Sequence, residues 1–177
     1  IRSDFGNLQP AVAQVDDKHL IAYCRRGGGY EPTTEGYLIR SESQDGGHTW
    51  SKGTNSSFPN PNSAVDFIKL RSGRLLLVYN HNMNDRTPLT AALSSDNGKT
   101  WSGPSIAFDI DYSQHGFIPL IPRGGKRIYA FGTQPLPSKY SREKGRHENT
   151  PIGFRSSDDD GHSWSGATLI KPKNDPG

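Results

Sequence analysis

One cysteine and one methionine stand in 177 residues, and long apolar runs and long stretches of helical periodicity are missing. Each shortage removes a class of protein. A lone Cys24 cannot build an internal disulfide framework, and its place after Leu20-Ile21-Ala22-Tyr23 reads as a buried thiol rather than a nucleophile. No apolar run is long enough to cross a bilayer as a helix. No signal peptide is visible; the chain opens on Ile1, which is compatible with removal of a targeting segment and with a secreted or periplasmic location. Histidine and cysteine never fall at zinc-ligand spacing, and no Ser-His-Asp set can be placed. Gly27-Gly28-Gly29 lacks both the Lys-Ser/Thr and the following helix of a phosphate loop. Asp158-Asp159-Asp160 has adjacent rather than alternating carboxylates, and Asp109 and Asp111 read as a solvated loop, so neither a metal nor a cofactor is expected. The net charge of +3 is scattered, apart from Lys139, Arg142, Lys144 and Arg146 in a polar stretch. That pattern predicts no nucleic-acid partner.

What is abundant is turn chemistry, with 20 glycines and 13 prolines, a balance that suits an all-β chain. One turn is spelled three times. Ser43-Gln44-Asp45-Gly46-Gly47-His48-Thr49-Trp50 recurs as Ser94 to Trp101 and again as Ser157 to Trp164, and all three tryptophans close a copy. The Asp carboxylate can accept backbone N–H bonds, Gly supplies the positive φ of a tight turn, and Trp anchors the turn by burying an apolar face.

The surroundings of the turns repeat as well. Pro10–Val15 and His19–Cys24, Ser63–Leu70 and Arg74–Tyr79, and Gly116–Ile121 and Arg127–Phe131 are strand-like pairs joined by short polar turns. A longer polar segment then leads to a third strand at Tyr37–Arg40, Leu89–Leu93 or Pro151–Arg155, which feeds the Asp turn, and a short fourth strand is expected after each Trp. Four antiparallel strands recurring about every fifty to sixty residues read as β-propeller blades. The expected organisation is a single partial propeller domain over 1–177, with repeats at about 8–58, 59–108 and 112–172.

The three turns resemble the Asp-box, or bacterial neuraminidase repeat, of the sialidase-like superfamily. Pro59-Asn60-Pro61-Asn62-Ser63 and Leu77-Val78-Tyr79-Asn80-His81 are similar to its predicted-neuraminidase branch. The resemblance implies rings of about six blades, of which this chain would hold half, completed either by the rest of a longer protein or by a second copy in a homodimer. It also implies Asp turns on the rim away from the active site. The function it implies is a glycoside hydrolase acting on acidic-sugar glycosides. Its alternatives are a non-catalytic propeller that binds glycans or proteins, and a fragment lacking part of the site.

The ligand rim would then carry the second-to-third strand loops and the connections between blades. Arg25 or Arg26 matches one carboxylate-gripping arginine of the sialidases, a role suited to the planar guanidinium. Leu8-Gln9-Pro10 stands where the family has Arg-Ile-Pro, so that arginine is missing, and Glu31 or Glu35 takes the place of the acid/base Asp. Asp66, Glu31 and His81 are the candidate catalytic groups: Asp66 as a carboxylate on an inner strand, His81 as a general base. Asn62, Asn80, Asn82, Arg86, His115 and Gln134 join the two arginines as candidate contacts to a carbohydrate ligand of anionic character. Arg142, Arg146, His147 and Glu148 are expected to form a lid on this rim.

Overall fold

The computed structural model describes residues 1–27, 35–108, 118–133 and 152–170. Its strands form three four-stranded antiparallel sheets, each meandering in chain order. Blade 1 is built from β1 (Asn7–Gln14), β2 (Leu20–Arg26), β3 (Tyr37–Ser43) and β4 (Thr54–Pro59). Blade 2 follows with β5 (Asp66–Lys69), β6 (Leu75–Asn80), β7 (Leu89–Ser94) and β8 (Ser105–Phe108). In blade 3 the strands are β9 (Ile118–Leu120), β10 (Ile128–Thr133), β11 (Ile152–Ser157) and β12 (Thr168–Leu169). The expected meander is present, with each fourth strand in place. Strand ends differ where local geometry intervenes. β1 starts at Asn7, ahead of Pro10, because a register shift between Leu8 and Ala11 lets the chain pair on both sides of the proline. No helix among the described residues is long and apolar enough to cross a membrane.

The Asp turns superimpose in their bonding. In the second, Asp96 accepts the Thr100 N–H at 2.8 Å and the Thr100 hydroxyl at 2.6 Å, while the Ser94 hydroxyl donates to Asp96 and accepts from the Gly98 N–H. Asp45 and Asp159 repeat the pattern with Thr49 and Ser163. The turn serines share one register: Ser43 pairs with Leu20, Ser94 with Leu75 and Ser157 with Ile128. Gly46 N–H donates to the Lys18 carbonyl, so the Asp turn and the first-to-second strand turn lie on the same rim, as expected.

The core lies between blades. Because side chains alternate across a strand, Ile21 and Tyr23 face blade 2 while Leu75, Leu77 and Tyr79 face back. Trp101 plugs this seam, with ring centroids 5.2 Å from Phe58 and 6.1 Å from both Tyr23 and Phe67. The next seam joins Leu76, Val78, Leu89 and Phe108 to Ile128 and Ala130, with Trp164 packed against it. On the face of blade 1 away from blade 2, Ala22, Cys24 and Ile39 are fully buried. Residues 2–6 run across that face: Arg2 O accepts from the Gly53 N–H, Gly6 O accepts from the Gly27 N–H, and Phe5 lies 4.3 Å beneath the Arg26 guanidinium. Cys24 is thus a core thiol, and burial pushes its pKa up.

Candidate functional site

On the rim opposite the Asp turns, three segments meet: the end of β2, the β4–β5 link and the β6–β7 loop. A buried polar network ties them. Asn60 and Ser63 bond reciprocally, the Asn60 amide donating to Ser63 Oγ at 3.1 Å and the Ser63 N–H to Asn60 Oδ1 at 2.9 Å. Ser63 Oγ then donates to Asn80 Oδ1 at 2.6 Å, and the Asn80 amide donates to the Arg86 carbonyl at 2.9 Å. All three side chains are buried, where satisfied polar groups fix one geometry. The network therefore holds the Asn80 side chain inside the fold. Asn82 is bonded too: its carbonyl accepts the Asn84 and Asp85 N–H groups and its amide donates to Thr87 O.

The network aims a backbone carbonyl at two cations. Asn62 sits in the left-handed region at φ 56°, which Asn tolerates better than most residues. Its carbonyl accepts from Arg25 Nη1 at 3.3 Å and from Arg86 Nη2 at 3.4 Å. Two guanidinium groups from adjacent blades thus converge on one acceptor, and Arg25 also keeps a buried Nε–H with no hydrogen-bond partner. Arg26 is separated from them by strand alternation. It points to the opposite face of β2, over Phe5 and onto the Glu35 carbonyl, with the Glu35 carboxylate 3.7 Å away.

Asp66 opens β5, opposite Val78, on the side of blade 2 that faces blade 3. It is half-buried, and burial pushes its carboxyl pKa up. His81 sits just beyond β6, exposed, with its Nδ1 2.7 Å from the Tyr79 hydroxyl. Burial lifts Tyr79 to about 12, so the phenol stays protonated. The contact fixes the orientation of the His81 ring at the mouth of the loop. Tyr79, Asn60 and Ser63 are the supporting residues that sequence reading did not assign. Their signal was burial combined with hydrogen-bonding capacity beside a loop rich in asparagine.

Glu31, His115, Gln134 and the expected lid residues lie outside the described residues. Among the described residues no three His, Cys, Asp or Glu side chains are grouped to hold a metal ion. A cleft of about 420 Å³ opens on the other rim between blades 2 and 3. Its carboxylates have structural partners: Asp159 in its own turn, Asp158 with Arg127, and Asp160 with Arg74.

Residues 1–114 match the family model described as a BNR repeat-like domain. No curated protein matches the sequence. Among solved structures, a protein of unknown function from Dyadobacter fermentans is similar at a TM-score of 0.64 and 17% identity, over 98% of this chain and 58% of that one. An α-L-arabinanase from Penicillium chrysogenum, complexed with arabinobiose, is similar at 0.64 and 16% identity, over 97% of this chain and 52% of that one. A Hadza microbial sialidase is similar at 0.55 and 17% identity, over 90% of this chain and 33% of that one. The chain therefore spans little more than half the length of the first two, and the likeness establishes the propeller fold.

Proposed function

The chain belongs to the BNR repeat-like domain family, and on that premise we propose that it carries one sector of the ligand rim of a glycoside-hydrolysing propeller selective for acidic sugars. The observation that carries this reading is the convergence of Arg25 and Arg86 on the Asn62 carbonyl. Two guanidinium forks held side by side suit a sugar carboxylate. Asp66 is the proton donor in this reading: desolvation favours its neutral form, as protonation of a leaving-group oxygen requires. His81, held by Tyr79, contributes its Nε2 to a sugar hydroxyl. Neighbours named as an arabinanase and as a sialidase support carbohydrate as the ligand class. They do not separate neutral from acidic sugars; the paired arginines favour acidic ones.

Calorimetric titration with sialosides, uronides and arabinobiose, run beside a turnover assay on fluorogenic glycosides, tests this. Acidic glycosides are expected to bind, and Arg25→Ala and Arg86→Ala each to weaken them about tenfold or more, the scale of a lost charged hydrogen bond. Arabinobiose bound equally by wild type and Arg25→Ala, with no binding of acidic glycosides, would refute the selectivity. Binding without turnover in wild type, unchanged in Asp66→Asn, would leave a non-catalytic glycan-binding rim.

A further inference from the structure

We propose that Ser63 is a positioning residue for the arginine pair: its hydroxyl, acting through Asn80, sets where Arg86 stands relative to the Asn62 carbonyl and to Arg25. This rests on the reading that the two arginines receive an acidic sugar. The two cations start on different blades. Arg25 belongs to β2 of blade 1 and Arg86 to the β6–β7 loop of blade 2, yet their terminal nitrogens lie 3.3 and 3.4 Å from one carbonyl oxygen. Nothing local in sequence fixes the gap between them. A ligand gripped by both needs that gap set by contacts across the blades, because small misplacements of binding groups are costly.

The β4–β5 link supplies half of the setting. The Asn60 N–H donates to the Gly36 carbonyl at 2.7 Å, which ties the link to blade 1 just ahead of β3. Within the link, Asn60 Oδ1 accepts the Ser63 N–H and closes a turn around Asn62. That turn holds Asn62 at its positive φ and aims its carbonyl. The other half comes from blade 2. Asn80 ends β6, and its amide donates to the backbone carbonyl of Arg86 itself. One buried bond of 2.6 Å joins the halves, from Ser63 Oγ to Asn80 Oδ1. The same hydroxyl accepts from the Asn60 amide, so its single proton is committed to Asn80. At 1% exposure Ser63 lies beneath the rim, and its influence on a ligand passes through Arg86. In Ser63→Ala the backbone N–H still donates to Asn60. The turn around Asn62 therefore survives, and the loss falls on the tie to Asn80.

Side-chain NMR of the arginine-labelled chain tests this without any ligand. In Ser63→Ala the Arg86 Nε–Hε signal is expected to shift, whereas that of Arg40, which holds the Gly98 carbonyl on the opposite rim, stays in place. Ser63→Cys, with a weak S–H donor and no cavity left behind, should move the same signal, and it decides the matter if Ser63→Ala does not fold. Stability is no readout, since Asn60 and Asn80 each lose a partner whatever the role of Ser63. Binding supplies the second arm. Ser63→Ala is expected to weaken acidic glycosides about fivefold, the scale of one net hydrogen bond, and to cost nothing further in an Arg86→Ala background. An unmoved Arg86 signal overturns the inference, whatever binds. So does an equal loss in both backgrounds, which would route Ser63 around Arg86. A wild type that binds no acidic glycoside refutes the functional reading instead, and the arginine signals then decide the positioning role alone.

Discussion

Gly98 sits directly over Ile21: the second Asp turn comes so close to the preceding blade that a Cβ would meet the Ile21 Cδ1 at 3.0 Å. The same turn is held from the side, where Arg40 donates to the Gly98 carbonyl at 2.8 Å and pairs with Glu42, which in turn meets His19 at 2.7 Å. The repeated turn is therefore a joint between blades as well as a hairpin. Its glycine answers two demands, a positive φ of 78° and the absence of a side chain.

Gly98→Ala is expected to destabilise by about 2 kcal/mol or more, combining the left-handed penalty of roughly 1–2 kcal/mol with the contact on Ile21. Gly73→Ala is the control, since Gly73 has a φ of 88° but open space around it. Urea denaturation should show the larger loss for Gly98→Ala. Adding Ile21→Val should recover part of it, and equal losses at both glycines would show that the joint contact carries no energy.

The Asp turns should make the fold acid-sensitive. Hydrogen bonds from the Thr49 hydroxyl and N–H hold Asp45 at about 2, and the corresponding bonds from Ser163 hold Asp159 at about 2. Asp96 is lowered in the same way by Thr100. An unfolded Asp titrates near 3.9, so the unfolded chain binds more protons between about pH 4 and pH 2. Stability then rises with pH across that window and is lost as pH falls through it. Melting temperatures recorded from pH 7 down to pH 2 should drop there, and more shallowly in Asp96→Asn, which starts lower. A flat profile would deny the carboxylates their structural part.

Asp66 should behave in the opposite sense. Burial raises its folded pKa above the unfolded one, so its stabilising contribution is complete below the unfolded value and disappears as pH rises through the folded one. Asp66→Asn is accordingly expected to melt higher than wild type at pH 7, with the difference closing below about pH 4. The same substitution should abolish turnover of any glycoside that the wild type cleaves. Loss of stability at neutral pH would place the ionised carboxylate in a favourable contact and remove it as a proton donor.

The blades were legible in the chain because their causes are local. Alternating apolar runs such as Leu75–Tyr79, short turns such as Arg71-Ser72-Gly73, and the thrice-spelled Asp turn each specify conformation within a few residues. The meeting of the two arginines was half legible: Arg25 and Arg86 stood among the candidates, but strand alternation alone separates Arg25 from Arg26, and only folding brings Arg86 to the Asn62 carbonyl. Asn80 and Asn82, candidate ligand contacts by sequence, also hold the β4–β5 link and the β6–β7 loop, which only the fold reveals. Tyr79 looks like an ordinary strand residue until its hydroxyl is found on His81, where it holds the ring. Repetition and turn type are encoded by neighbours in sequence, whereas the partner of a polar side chain is decided by what packs against it from another blade. That is why the sequence by itself determined the architecture, and the tertiary structure decided which polar side chains bond to one another and across which blades.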